Sequence, residues 1–201
     1  MLLSEDDEPQ DIFCLLKGYV RKFYLFESGS ELTLKIVSPF AYFPTSSIVG
    51  ENLNPFCYET MTNCTIVKIP KEKMVNYVKN KPELMTELTR RLLIEYSEHL
   101  DRMEELVFGG AYQKVVSVLL YLADHFGEKS RKIIIVPIKF THQDIASLAG
   151  ITRETASISM KKLKDKKIIY YYNSLVTVLS VNKLKRELSS HTVNMTGFNA
   201  L

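Results

Sequence analysis

The sequence predicts an α+β protein with its strands in the N-terminal half and mainly helices in the rest. Three observations carry that expectation. Between residues 11 and 69, runs rich in β-branched and aromatic residues alternate with turns built from Gly, Pro, Ser and Asn. From Pro82 to about Phe108 the pattern changes to apolar residues stepping by three and four. From Phe140 onward two short helical patterns flank a glycine and a strand hairpin follows. The 201 residues suffice for two modest domains, each with its own core.

Residues 1–10 are polar and charged and read as a loop. Strands are expected at 12–16 and 19–26, rich in β-branched and aromatic side chains, with Lys17-Gly18 as the hairpin turn between them. Glu27-Ser28-Gly29-Ser30 makes the next turn. Leu32, Leu34 and Ile36 then alternate with Thr33, Lys35 and Val37, which predicts a strand with the first three on its buried face. Residues 41–44 form a short aromatic segment, and 56–61 and 65–69 are two further strands. Strands of this length at regular spacing point to a small antiparallel barrel or sandwich.

A short helix is expected over 71–78. Pro82 suits the first position of a long helix, because the donor it lacks would find no partner there. Leu93, Tyr96, Leu100, Met103 and Val107 step by 3, 4, 3 and 4 residues along it. That heptad seam suits pairing with a second copy across a two-fold axis. Met85, Leu88 and Leu92 lie on another face and are expected to pack on the barrel. Gly109-Gly110 reads as a hinge, followed by an amphipathic helix over 111–126 with Val115, Val118, Leu119 and Leu122 inward. Residues 133–138 are expected as a strand pair interrupted by Pro137, and the tail beyond Leu188 as frayed.

Between these lies the stretch with the densest local signals. Thr141 suits an N-cap, with Asp144 three residues on in the capping-box position. Ile145, Ala146, Leu148 and Ala149 make an apolar face, and Gly150 permits the positive φ of an abrupt stop. Thr152 is a second N-cap, after which Ala156, Ser159, Met160 and Leu163 share one side of a helix. Arg153, Glu154, Ser157, Ile158 and Lys161 face the other way. An ordinary helical hairpin with a solvated face has the same spacing. The hairpin that follows, 168–172 and 175–179 around Asn173-Ser174, is what a winged helix-turn-helix adds.

Thr141-His142-Gln143-Asp144-Ile145-Ala146, Gly150, Thr152-Arg153-Glu154-Thr155 and Leu163 together resemble the DNA-binding domain of the Crp/Fnr transcription regulators. Leu15-Leu16-Lys17-Gly18-Tyr19-Val20 and Ile66-Val67-Lys68-Ile69-Pro70 resemble parts of the same family's jelly roll. The resemblance implies a cyclic-nucleotide-binding-like barrel at 1–81, a dimerisation helix at 82–108, a winged helix-turn-helix at 109–188 and a tail at 189–201. It also implies that Arg153 donates to a guanine edge, that Glu154 accepts from a cytosine amine, and that Ser157 reaches a base or phosphate. Thr141, His142, Gln143, Thr152, Thr155 and Lys161 would position the helices on phosphates. At Ile158 the chain departs from members that carry a second base-reading Arg, and an apolar side chain there suits a thymine methyl. The family usually has a further strand or two before the first one seen here, so a barrel that is incomplete or differently closed is expected. Its nucleotide-binding members hold the phosphate with a Gly-Glu pair and an Arg-Ser pair. Gly50-Glu51 imitates the first, but no Arg lies between Arg21 and Arg90. A buried phosphate without a guanidinium is costly, so cyclic AMP is not expected as the effector.

Composition narrows the remaining classes. Residues 1–110 hold 12 Lys/Arg against 17 Asp/Glu, whereas residues 131–201 hold 12 against 4, a basic C-terminal third on an acidic body. No apolar run approaches the length of a membrane span, and the acidic N-terminus lacks the order of a signal peptide, so a cytoplasmic protein is expected. Cys14, Cys57 and Cys64 show no paired spacing and read as small buried hydrophobes. His99, His125, His142 and His191 are scattered without metal-ligand spacing, and His99 reads as a surface or interface residue rather than a haem ligand. With no nucleophile motif, P-loop or dinucleotide fingerprint, no catalytic activity and no cofactor are expected.

The reading is therefore a homodimeric, sequence-specific regulator on a pseudo-palindromic double-stranded operator, with RNA polymerase as a further partner if it activates. Two other classes fit the same composition. One is a small-molecule receptor acting through protein contacts; the other is an architectural protein indifferent to DNA sequence. The effector is open. It is either an apolar or aromatic compound near Phe40, Tyr42, Phe43, Phe56 and Tyr58, nothing at all, or an anion held by Lys35 or Lys68 in place of the Arg.

Overall fold

A computed structural model describes residues 1–5, 7–49 and 54–189 of the chain, and statements below concern these. Gly50-Glu51 and the tail from residue 190 lie outside them, as do the side chains of Glu104 and Glu105. The chain divides into two compact units, Met1–Asp101 and Arg102–Leu201, with the boundary inside the long helix.

The first unit contains β1 (Asp11–Lys17), β2 (Val20–Leu25), β3 (Glu31–Val37), β4 (Tyr42–Phe43), β5 (Cys57–Thr60) and β6 (Thr65–Pro70). They form two three-stranded antiparallel sheets, ordered β4-β1-β6 and β3-β2-β5. The expected hairpin at Lys17-Gly18 is not one, because β1 and β2 belong to different sheets. Gly18, at φ +91°, turns the chain from one sheet to the other, and a Cβ there would sit 2.5 Å from the Asn63 carbonyl oxygen. Leu3, in the stretch read as a loop, is buried and bridges to Tyr58.

β3 also departs from its expected alternation. Thr33 is buried while Leu32 and Leu34 are only half-buried. The register jumps from Lys22↔Lys35 to Phe23↔Thr33, so Leu34 falls in a bulge and the inward face changes there. β1 is buried continuously from Ile12 to Leu15, because both of its faces are covered. On the inside, Phe13, Leu15, Val20, Val37, Phe43 and Tyr58 fill the space between the sheets. Phe43 stacks on both Phe13 and Tyr58, at centroid distances of 5.4 and 5.0 Å. Of the aromatics expected around a pocket, Phe40 is instead 74% exposed, and Tyr42 is exposed as well.

On the outside of β1, Ile12 packs with Ile48 and Val78, together with Met74, Met85 and Leu88. These come from a 3-10 turn (Ser46–Val49), α1 (Lys71–Lys79) and the start of α2 (Pro82–Phe108). Leu92, expected beside Met85 and Leu88, is exposed. One turn further along α2, Glu95 meets β2 and β3. Its carboxylate lies 3.1 Å from Lys35 Nζ, 3.7 Å from Lys22 Nζ and 3.6 Å from His99 Nε2. Lys22 Nζ also rests 4.2 Å above the Phe56 ring. Burial pushes the Lys22 ammonium pKa down despite this pairing, so the cluster does not favour every member equally.

The second unit holds α3 (Ala111–Phe126), β7 (Glu128–Ser130), β8 (Ile133–Lys139), α4 (His142–Ala149), α5 (Arg153–Asp165), β9 (Ile169–Tyr172), β10 (Leu175–Val178) and α6 (Val181–Ser189). Its sheet is ordered β7-β8-β10-β9. The strand pair expected around Pro137 is a single strand, β8, pairing with both β7 and β10. Pro137 is accommodated because the β8–β10 register is irregular at that point, where its missing N–H costs no ladder bond. α3 buries Val115, Val118, Leu119 and Leu122 as expected, and Val116, Leu120, Ala123 and Phe126 besides. α6 falls where no element was expected, although Val181, Leu184 and Leu188 step by three and four; Leu184 is fully buried and the other two half-buried.

The Glu95 cluster yields a stability test. Its His99 contact, with Lys35 and Lys22, holds the Glu95 carboxyl at about 2, against an ordinary 4.5. A depressed carboxylate stabilises the fold above its unfolded-state pKa, and that contribution is lost as the pH falls towards the folded value. Glu95→Gln should therefore lower the thermal midpoint near neutral pH, with the gap to wild type closing between about pH 4.5 and 2. A gap that stays constant across this window would assign the effect to packing rather than charge.

Candidate nucleic-acid interface

α4 starts where Thr141 and Asp144 satisfy each other. Thr141 Oγ1 accepts from the Asp144 amide at 3.1 Å, and Asp144 Oδ2 accepts from the Thr141 amide at 2.7 Å. The Thr141 hydroxyl also donates to that carboxylate, so all its hydrogen bonding here is within the cap. At the other end Gly150 adopts φ 61°, ψ 41°, and its amide returns to the Ala146 carbonyl. A side chain at Gly150 would face the left-handed penalty, so the tight turn between the helices needs glycine there.

α5 begins at a second cap, with Thr152 Oγ1 accepting from the Thr155 amide at 3.3 Å. Ala156, Ser159, Met160 and Leu163 are buried in one stripe. Arg153, Glu154 and Lys161 are exposed, Ser157 and Thr155 half-buried, and Ile158 is 70% exposed. The four side chains expected to read bases thus share the outer face of a helix anchored by its inner one. Lys167 ends the helix at φ 52° with the Lys167 amide on the Lys164 carbonyl and the Ile168 amide on the Leu163 carbonyl. That is a Schellman-type end with a lysine where glycine is usual.

The wing is a hairpin of β9 and β10 whose turn residues, Asn173 and Ser174, both have positive φ. That is the turn whose twist matches the strands on either side. It is tied to the start of α4 at one residue: the Phe140 amide donates to the Ser174 carbonyl at 2.7 Å, and Tyr171 Oη donates to the Phe140 carbonyl at 2.9 Å. The Tyr171 ring also stacks on His142 with centroids 5.0 Å apart. Burial, and then the charge of Arg153, push the His142 imidazole below its ordinary pKa. His142 and Gln143 stand at the α4 N-terminus, with His142 near enough to Arg153 of α5 to feel its charge.

Phe140 and Tyr171 were not singled out from sequence, although Tyr171 shows in the strand alternation. Tyr112 and Glu187, which reach the far end of α5, carry no local signal at all. Among the described residues no group of three His, Cys, Asp or Glu side chains is placed to hold a metal ion. No described helix is long and apolar enough to cross a membrane.

Comparison with known proteins bears on the whole chain. The cyclic nucleotide-binding domain family matches residues 1–81, and the Crp-like helix-turn-helix domain family matches residues 113–187. The global nitrogen regulator of Nostoc sp. is 27% identical over 185 residues, covering 91% of this chain and 83% of that protein. The CRP-like cAMP-activated global transcriptional regulator of Mycobacterium tuberculosis is 26% identical, covering 76% and 68%. A CRP-family transcriptional regulator from Thermus thermophilus superposes with a TM-score of 0.77 at 23% identity, covering 94% of this chain and 93% of that one. A CooA variant from Carboxydothermus hydrogenoformans gives 0.77 at 22%, covering 93% and 83%. At such identities the superpositions establish the fold, while the two matched domains, in this order and taking in most of the chain, establish the family. The chain belongs to the Crp/Fnr family of DNA-binding transcription regulators, with a sensor domain ahead of a helix-turn-helix.

Proposed function

We propose that the chain acts as a homodimer that reads a pseudo-palindromic operator with α5. The observation that carries this reading is the outer face of α5, where Arg153, Glu154 and Ile158 are exposed and Ser157 half-buried while the opposite face is buried. In a major groove Arg153 would donate to guanine O6/N7, Glu154 would accept from cytosine N4, and Ile158 would meet a thymine methyl. His142, Gln143, Thr152, Thr155 and Lys161 would engage phosphates, with Thr141 contributing through the helix end it caps. An architectural or receptor role gives no reason for an exposed Arg-Glu pair at a capped helix start. Arg153→Ala should weaken binding to the cognate site by about 1–3 kcal/mol and blur one base position. Selection from a randomised duplex pool, run on wild type and variant, measures this; an unchanged preference would remove Arg153 from base reading.

The dimer reading rests on α2. Leu93, Tyr96, Leu100, Met103 and Val107 are all exposed in the single chain, from 47% at Leu100 to 66% at Val107. Five apolar side chains in one heptad seam are a costly surface to leave in water. Two copies joined there would present two α5 helices to grooves about one helical turn apart. Leu100→Glu should give a monomer with weak operator binding, as read by analytical ultracentrifugation. A variant that stays dimeric would place the interface elsewhere. Contact with RNA polymerase follows only if the regulator activates.

For the effector we favour a ligand other than a cyclic nucleotide, or none. Lys35 and Lys22 face Glu95, and Lys68 lies 5.5 Å from the Phe13 ring, so each of these cations has a partner within the chain. The Phe13–Phe43–Tyr58 stack is buried and fills the space between the sheets, which disfavours a phosphate there. The relatives named above, one a nitrogen regulator and one cAMP-activated, are about equally similar and do not point to one signal. Titration calorimetry with cyclic AMP and cyclic GMP should show no heat. Binding tighter than about 10 μM, roughly −7 kcal/mol, with a gain in operator affinity, would overturn this.

A further inference from the structure

The recognition helix is held at its far end by a cluster that the DNA-reading face does not use. Tyr112 is the second residue of α3, just after Gly109-Gly110. Its ring lies beneath Lys162 Nζ at 4.3 Å and Lys166 Nζ at 5.5 Å, one from the last turn of α5 and one from its C-cap. Its hydroxyl donates to Glu187 Oε2 at 2.9 Å, and the same oxygen accepts from Lys166 Nζ at 2.6 Å. The start of α3, the end of α5 and the end of α6 therefore meet at one phenol and one carboxylate. Lys166 first, then the Tyr112 hydroxyl, hold the Glu187 carboxyl below its ordinary range; burial, then Glu187, push the Tyr112 phenol up. Both shifts keep the proton on the phenol and the charge on the carboxylate, the states the observed hydrogen bond requires.

We propose that Tyr112 is a positioning residue for DNA reading: acting with Glu187 on Lys162 and Lys166, it fixes the end of α5 against the start of α3 and so sets how Arg153 and Glu154 meet the bases. The lever is long. Lys162 and Arg153 are about 13 Å apart along the helix axis, so a tilt of about 10° at the clasp moves Arg153 by about 2 Å. Bidentate contacts tolerate only about 0.5 Å. Phosphate contacts carry no sequence information and are spread over α4 as well as α5, so loss of the clasp should damage specificity before it damages general affinity. The proposal rests on α5 being the reading helix.

Tyr112→Phe and Glu187→Gln, made in the full chain, separate this from an electrostatic or purely structural role. Each is assayed at fixed salt against the duplex that the wild type selects from a randomised pool and against a scrambled duplex, with thermal melting alongside. Tyr112→Phe keeps the ring over the lysines; it should lose about 3- to 10-fold on the selected duplex and nothing on the scrambled one. Glu187→Gln removes a negative charge from a basic unit, so scrambled-duplex affinity should hold or rise while selected-duplex affinity falls by a similar factor. The double variant should be no worse than the weaker single one, because both act through one clasp. Equal changes on the two duplexes, or additive losses in the double variant, would overturn the proposal, as would an unchanged ratio in both single variants. Arg153→Ala serves as the control. If it leaves base preference intact while the Tyr112 and Glu187 variants lower the ratio, the role of Arg153 fails and the clasp stands. A pool that yields no preferred duplex removes both.

Discussion

The C-terminal unit depends on one constraint: α5 must be gripped along a single stripe so that the rest of it stays free. Ala156, Met160 and Leu163 are fully buried, and each such apolar side chain contributes roughly 1–3 kcal/mol. Because that stripe occupies only one side of the helix, the caps at Thr152 and Lys167 have to settle its ends without help from the outer face. Gly150 performs the remaining task, since only a left-handed residue lets α4 end and α5 begin within a few residues of backbone. The wing is fastened to the same frame at Phe140 and meets α5 through β9.

The N-terminal unit solves a different problem. Its sheets are short, and a three-stranded sheet with one bare face is marginal on its own. β1 avoids this by being covered twice, by the aromatic stack inside and by α1 and the start of α2 outside. Beyond Leu88 the contact of α2 with the strands becomes ionic, through Glu95, Lys22 and Lys35. Half-buried charge is a poor source of net stability but a strict one geometrically, since each ammonium is tolerated only where its partner stands.

Most of the helix-turn-helix was legible in the sequence because its signals are local. A cap, an Asp three residues later, a glycine and a two-residue turn each act within four or five residues, where propensity and hydrogen bonding decide the backbone. Thr141, Asp144, Gly150, Thr152 and Asn173-Ser174 all occupy the conformations that such reasoning assigns them. The exposure of the α2 seam was legible for the same reason, since helical periodicity needs no knowledge of what lies opposite. α6 was missed although Val181, Leu184 and Leu188 step by three and four, because in so short and charged a segment that pattern passes for a polar tail.

Other features depended on which strand meets which. Alternation in β3 placed Ile36 inward correctly but Leu32 and Leu34 wrongly, because a bulge at Leu34, set by pairing with β2, brings Thr33 inward instead. Lys17-Gly18 looked like a hairpin, yet β1 finds its partners in β4 and β6. The Glu95 cluster and the Tyr112–Glu187 clasp join residues far apart in the chain, with neither end marked in its own neighbourhood. The sequence alone determined the class of the protein, the caps of α4 and α5 and the polar outer face of α5, because those follow from backbone preferences and periodicity over a few residues. Sheet membership, the inward face of β3, and the charges that hold α2 and α5 were decided only by tertiary structure, because they depend on contacts whose partners become neighbours only when the chain is folded.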